Sequence, residues 1–321
     1  MLLEINNLSV NYKVGKKTVK AVRDVELELE KGERLGIVGE SGCGKSTLAY
    51  SILRLLADNA VMEGVINFGG QNIVALSEDE LNKVRWNDIA MVFQNSMTAL
   101  NPVTKIGNQI IDAVMEHQNI SREDARKRAE EMLTKVGIPA HRLMEYPHEY
   151  SGGMKQRAVL ALALICHPKI LIADEPTTAL DVVAQRQVLQ LFKELQEEMD
   201  LSLIIISHDI SVISEISTKI AVMYAGEIME MGPTKEVFLN SSHPYTKALV
   251  GSFPSLHRPL KELVQIKGNT PSLSDLPKGC PFATRCTKAQ SICHEVHPEL
   301  KEIKPSVKCC CHFSEIEVTY E

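Results

Sequence analysis

An α/β fold is what the sequence predicts, and three observations carry the prediction. Short apolar runs at Arg34-Leu35-Gly36-Ile37-Val38, Ile89-Ala90-Met91-Val92-Phe93, Lys169–Ala173 and Leu201–Ile206 have the length and continuity of buried strands. Stretches of helical spacing separate them. A glycine-rich segment, Gly39-Glu40-Ser41-Gly42-Cys43-Gly44-Lys45-Ser46, lies between the first of these strands and a helical run at Leu48–Leu53.

That segment fits the pattern G-x-x-x-x-G-K-[ST], in the strand-loop-helix context the pattern requires. Its glycines let backbone N–H groups close around phosphate oxygens, and the helix start adds partial positive charge. Gly39, Ser41, Gly42, Cys43, Gly44 and Thr47 are expected to line a triphosphate. Lys45 is placed for its β- and γ-phosphates and Ser46 for Mg²⁺. Cys43 reads as a small spacer, with an oxidation-sensitive thiol of lowered pKa as the alternative. The core is therefore expected to be that of a P-loop NTPase.

Bulk properties set limits. The 321 residues favour two units over one. Net charge is −6, from 41 acidic and 35 basic residues, which gives no electrostatic footprint for nucleic acid. Hydrophobic content of 44% and charged content of 24% are those of a soluble globular protein. The aliphatic run Ala158–Cys166 is too short to span a bilayer, and the first residues lack the pattern of a signal peptide. A cytoplasmic location is expected.

Along the chain, Leu2–Val10 and Val19–Leu29 alternate as half-buried strands, with Tyr12 in the loop between them. Tyr12 is either an adenine-stacking ring or an ordinary aromatic. Gly64–Phe68 suggests a further strand. Gln94 ends the Ile89–Phe93 strand, where α/β folds place ligand contacts; it is expected to hold Mg²⁺ or the attacking water. Residues 104–137 turn helical, with Ser121-x-x-Asp124 as a cap, and predict a helical subdomain at about 95–167.

A second helix start follows at Tyr150-Ser151-Gly152-Gly153-Met154, where Ser151 is a plausible N-cap and Gly153 allows close approach of an anion. The run Ile170–Ala173 then delivers Asp174 and Glu175 at a strand's C-terminal edge. Asp174 is expected to support Mg²⁺ and Glu175 to polarise the water that attacks the γ-phosphate. Asp181 leads into a helix to Met199. The strand at Leu201–Ile206 ends at His208, expected to sense the γ-phosphate. Ile220–Tyr224 and Glu227–Glu230 read as a hairpin, and Pro244 suits a helix's first turn.

Together these residues resemble the nucleotide-binding subunit of an ABC transporter, across about residues 1–240. The resemblance rests on the ordered set: P-loop, Gln94, the signature Tyr150–Met154, the Asp174-Glu175 strand, Asp181 and His208. It implies a P-loop NTPase (RecA-like) core, an N-terminal antiparallel β subdomain, an inserted α-helical signature subdomain and a small Cys-rich C-terminal domain at 241–321. It also implies head-to-tail pairing with a second ATP-binding subunit, homo- or heteromeric. ATP then lies between the P-loop of one subunit and Ser151 and Gly153 of the other, with Tyr12 stacked on adenine and Glu175 as the catalytic carboxylate. The signature departs from L-S-G-G-Q at Tyr150 and Met154.

The tail narrows the family. His243–Leu249, Gly268-Asn269-Thr270-Pro271-Ser272-Leu273 and Gly279–Cys286 resemble the ATPases of dipeptide and oligopeptide importers. That implies a peripheral position on the cytoplasmic face of the cell membrane, two transmembrane permease subunits and an extracellular peptide-binding protein. An importer of nickel or another small solute, and a soluble non-transport ABC ATPase, are the alternatives.

Six cysteines crowd this tail. Cys280, Cys286 and Cys293 have loose spacing that lacks the tight pair of structural zinc, whereas a [4Fe–4S] cluster tolerates it. The family's members with this tail are understood to carry such a cluster. Cys309 is the expected fourth ligand, after Val307 as in the family's closing pattern, with Cys311 the alternative. Zinc, or free or disulfide-linked thiols, are the alternative occupancies.

Overall fold

Apolar residues alternate with polar ones along Leu3-Glu4-Ile5 and Val25-Glu26-Leu27-Glu28-Leu29, which gives each opening strand one buried face. The computed structural model of the chain describes residues 1–178, 180–252 and 266–314. Ala179, in the expected loop before Asp181, and 253–265 and 315–321 of the expected extension lie outside the described residues.

In chain order the elements are β1 (Leu3–Val14), β2 (Lys17–Leu29), β3 (Arg34–Val38), α1 (Lys45–Ile52), β4 (Ala60–Phe68), β5 (Gln71–Asn72), α2 (Glu78–Val84) and β6 (Ile89–Val92). Then come α3 (Ile106–His117), α4 (Arg122–Lys135), α5 (Gly152–Leu164), β7 (Ile170–Asp174), α6 (Val182–Glu198), β8 (Ser202–Ser207) and α7 (Ile210–Ile216). The chain continues through β9 (Lys219–Tyr224), β10 (Glu227–Pro233), α8 (Thr234–Leu239), α9 (Pro244–Gly251), α10 (Ser291–Glu295), β11 (Lys301–Lys304) and β12 (Val307–Cys309). No described helix is long and apolar enough to cross a membrane.

Two compact units form. The first takes the described residues of Met1–Leu29, Leu35–Val74 and Ser207–Glu321. It holds an antiparallel sheet in the order β2-β1-β4-β5. It also holds a second strand set in which β3 runs parallel to β9, the β9–β10 hairpin follows, and β12 and β11 extend the ladder from β10. Tyr12 is inside β1 rather than in a loop, opposite Val19 and Ala60. Bulges let β1 continue past Val10, where the alternation breaks. The β11–β12 pair has no clear sequence signal, because strands of four and three residues are too short to display a period of two.

The second unit takes Glu30–Arg34 and Ala75–Ile206. Strands β6, β7 and β8 run parallel in register, with Asp174 opposite Ile206. Every residue of β7 and β8 is buried, which explains their continuous apolar sequence. Each fully buried Leu or Ile side chain there contributes about 1.5–3 kcal/mol. Caps set the helix starts: Ser121 accepts from the Asp124 N–H, and Asp181 accepts from the N–H groups of Val183 and Ala184, both at 2.9 Å. A capping box of Ser77 and Glu80 opens α2, a helix not anticipated from the sequence.

Asp181→Ala leaves two N–H groups of α6 without their acceptor. It is expected to cost about 1 kcal/mol in urea unfolding, with Asp181→Asn losing only a fraction of that.

Candidate functional site

β3 ends at Val38 and the chain turns through Gly39–Gly44 into α1, with Gly44 as N-cap at φ 106°. No side chain caps this helix, so the N–H groups of its first turn face the loop and are suited to an anion. Gly44 is dictated twice: its φ is left-handed, and a Cβ there would lie 2.1 Å from the Ala21 carbonyl oxygen. Lys45 is only 6% exposed, and its Nζ donates to the carbonyls of Gly39 (2.8 Å) and Glu40 (3.0 Å). Those acceptors are neutral, so a buried ammonium stands at the loop's centre. Burial pushes the Cys43 thiol up, against the pull of Lys45, which favours the spacer reading over that of an oxidation-sensitive thiol. Ser46 and Thr47 occupy the first turn of α1, and Ser41 and Gly42 are exposed on the loop. Tyr12 is half-buried on β1 in the same unit, and His208, just past β8, is exposed.

The second unit brings Gln94 and Glu175 together. Gln94 Nε2 donates to Glu175 Oε2 at 2.9 Å, and Thr178 Oγ1 donates to the same oxygen at 3.0 Å. Both of these donors are neutral, and they orient the carboxylate as a group that polarises water requires. Glu175 has φ +49°, a left-handed value that costs a non-glycine residue energy, and its N–H donates to the Ile206 carbonyl at 2.9 Å. Asp174, at the end of β7, is completely buried.

Ser151 caps α5 as expected, accepting from the Met154 N–H at 3.3 Å. Gly152 and Gly153 face open space: a methyl group at either position would meet nothing within 4 Å. Arg142, not foreseen from the sequence, accounts for both departures in the signature. The Tyr150 hydroxyl donates to the Arg142 carbonyl at 3.0 Å, and the Arg142 guanidinium lies 5.3 Å from the Tyr150 ring centroid. The same guanidinium reaches Met154 Sδ at 3.4 Å and the Glu149 carbonyl at 3.1 Å. Burial pushes the Tyr150 hydroxyl up to about 12. Tyr150 and Met154 thus grip one arginine, while Gly152 and Gly153 keep open space beside them. Gln156, also buried, donates to the Pro176 carbonyl at 2.7 Å and ties α5 to the loop that follows Glu175.

In the tail, Cys280, Cys286, Cys293 and Cys311 surround one cavity of about 40 Å³, together with Phe282 and Phe313. Cys309, expected as the fourth member, does not line it. That residue is still in β12, 1% exposed and paired with Glu230 and Lys301, whereas Cys311 lies past the strand's end and faces the cavity. Gly279 permits the convergence, since a Cβ there would meet the Cys293 carbonyl oxygen at 2.2 Å. Burial pushes the Cys280 thiol up to about 12, with the neighbouring sulfurs adding to it, and Cys286 and Cys311 move the same way. Four thiols on one cavity are a donor set suited to a thiolate-bound metal group.

Donor atoms of Glu227, His297 and Cys310 lie within 4.8 Å of one another. Arg23 already pairs with Glu227 at 2.9 Å, His297 Nε2 lies 2.8 Å from Glu227, and the Cys310 thiol donates to the Pro298 carbonyl. This group is satisfied without an ion.

Gly44→Ala is expected to lower stability by more than about 2 kcal/mol in thermal or urea unfolding. Gly152→Ala, facing open space in a helix's first turn, is expected to stay within about 0.5 kcal/mol of the parent.

Residues 22–178 match the family described as ABC transporter, and residues 229–293 match that described as Oligopeptide/dipeptide transporter, C-terminal region. The chain is 48% identical over 301 residues to the dipeptide transport ATP-binding protein DppD of Bacillus subtilis, covering 92% of this chain and 90% of that protein. It is 44% identical over 313 residues to the oligopeptide transport ATP-binding protein OppD of Salmonella typhimurium, covering 97% and 93%. Among solved structures, the ATP-binding cassette MJ0796, in a dimeric post-hydrolysis state bound to ADP and Pi, superposes with a TM-score of 0.65. That match has 31% identity and spans 73% of this chain and 99% of the other. The chain therefore belongs to the ABC transporter family, among the ATP-binding proteins of dipeptide and oligopeptide transport.

Proposed function

We propose that this chain is the ATP-hydrolysing subunit that powers a dipeptide or oligopeptide importer. The observation that carries it is the extent of similarity: identity of 48% with a dipeptide transport protein holds over 92% of the chain, tail included. The chain works as one of two ATP-binding subunits, peripheral on the cytoplasmic face of the membrane. Two transmembrane permeases and an extracellular peptide-binding protein complete the importer. Residues 1–240 form the ATPase cassette, with the helical signature region at 95–167, and 241–321 form the peptide-importer extension.

In this proposal Gly39–Thr47 receive the triphosphate, Lys45 counters its β- and γ-charges, and Ser46 and Gln94 hold Mg²⁺ with Asp174 in support. Tyr12 stacks on adenine. Glu175, oriented by Gln94 and Thr178, polarises the attacking water, and His208 senses the γ-phosphate. Ser151 and Gly153 of each subunit close on the nucleotide of the other, so ATP binding drives the two subunits together. The open surface over Gly152 and Gly153 supports this arrangement.

Cys280, Cys286, Cys293 and Cys311 are the residues suited to hold a [4Fe–4S] cluster, with zinc as the alternative occupant. When bound, such a group cross-links a small lobe that has little apolar core of its own.

Glu175→Gln is expected to bind ATP, accumulate as a closed dimer in size-exclusion chromatography with ATP, and turn over at least about 100-fold more slowly. Ordinary turnover by this variant removes Glu175 from its role. For the tail, anaerobically purified protein is expected to carry iron and sulfide and to absorb near about 400 nm. Cys311→Ser abolishes both signals while Cys309→Ser keeps them, and the reverse pattern returns Cys309 to the ligand set.

A further inference from the structure

The phosphate loop is held from the tail. Arg285, the residue before Cys286, sends its guanidinium to Glu40, the second residue of the loop. Nη1 donates to Glu40 Oε2 at 2.8 Å and Nη2 to Oε1 at 3.0 Å, a bidentate pair with the arginine side chain only 5% exposed. The remaining donors are used as well. Nη1 also reaches the Tyr224 hydroxyl at 3.1 Å, Nη2 the Ile266 carbonyl at 3.4 Å, and Nε the Lys267 carbonyl at 3.1 Å. A guanidinium has five N–H donors, and every one has an acceptor here. This is a built socket for one carboxylate.

Two more tail residues converge on Glu40. Thr270, from the Gly268–Leu273 segment that the nucleotide site leaves unexplained, donates to Glu40 Oε2 at 2.7 Å. The Tyr245 hydroxyl accepts from the Glu40 N–H at 3.1 Å. Tyr245, Tyr224 and Phe282 pack with ring centroids 4.7–5.4 Å apart, which fixes the floor of the socket. Glu40 is thus gripped at its carboxylate and its backbone, and its carbonyl is one of the acceptors for Lys45.

We propose that Arg285 is a positioning residue for nucleotide binding: by pinning Glu40 it keeps the Gly39–Thr47 loop in the conformation that receives the triphosphate. The proposal rests on that loop being the ATP site. Preorganising the loop removes an ordering cost that the nucleotide otherwise bears, so the effect falls on affinity rather than on the chemical step. All five Arg285 donors are taken up by protein acceptors, so it acts through Glu40, and lysine offers no planar fork for the carboxylate. The peptide-importer tail therefore acts as a brace for the nucleotide loop.

The test measures equilibrium binding of a fluorescent ATP analogue with Mg²⁺ to the full chain, and KM and kcat for ATP in the assembled transporter. Arg285→Ala is expected to raise Kd and KM about tenfold with kcat within about twofold of the parent, and Arg285→Lys to fall between. Glu40→Gln breaks the same pair from the loop side and keeps the test open if Arg285→Ala fails to fold. It is expected to match Arg285→Ala, and the double variant to be no worse than either single one. Unchanged affinity in both single variants, effects that multiply in the double variant, or a fall in kcat at constant KM overturns the proposal. Lys45→Ala separates the two levels. Binding that survives this substitution removes the ATP site from the loop, and the brace with it. Binding lost in Lys45→Ala but intact in Arg285→Ala overturns the brace alone.

Discussion

A buried ammonium with only neutral hydrogen-bond partners is the constraint around which this molecule is arranged. Lys45 is held by two carbonyls of its own loop, beside a helix start that no side chain caps. Removing that charge from water is costly unless an anion offsets it, and the uncapped N–H groups add to the demand. Much of the first unit serves to keep this loop in place. Ala21 presses against Gly44, and Gly226 donates to the Cys43 carbonyl at 2.9 Å. The tail grips Glu40 through Arg285, Thr270 and Tyr245. On the proposed reading, binding energy from the triphosphate is thereby available for drawing subunits together instead of ordering the loop.

The second unit prepares its own chemistry in the same way. A parallel sheet buried on both faces delivers Asp174 and Glu175 at one edge, and Gln94 and Thr178 hold the glutamate in a strained, left-handed turn. At the signature helix, Arg142 braces Tyr150 and Met154, while Gly152 and Gly153 stay open. The sequence variation there falls on the bracing side chains, and the Ser151 cap and the glycine surface keep their form.

Several of these features are legible in the sequence because their signals are local. The glycine spacing of the phosphate loop, the apolar run ending in two acids, and the Ser151 and Asp181 caps each lie within a few residues. Other features depend on contacts that no short window contains. Arg285 and Glu40 are 245 positions apart, and neither is unusual by itself. Spacing does not tell Cys309 from Cys311; the end of β12 separates them, and β12 is only three residues long. Tyr12 reads as a loop residue because the alternation breaks at the bulges of β1, although the ladder continues beyond them.

On this view the phosphate loop is half of a site that a second subunit's signature helix completes. ATP turnover per chain as a function of dilution, with mass followed by light scattering, tests that most directly. Turnover is predicted to fall towards zero as the chain becomes monomeric and to recover on assembly with its partner subunits. A monomer that hydrolyses ATP at the full rate, unchanged through dilution, contradicts it.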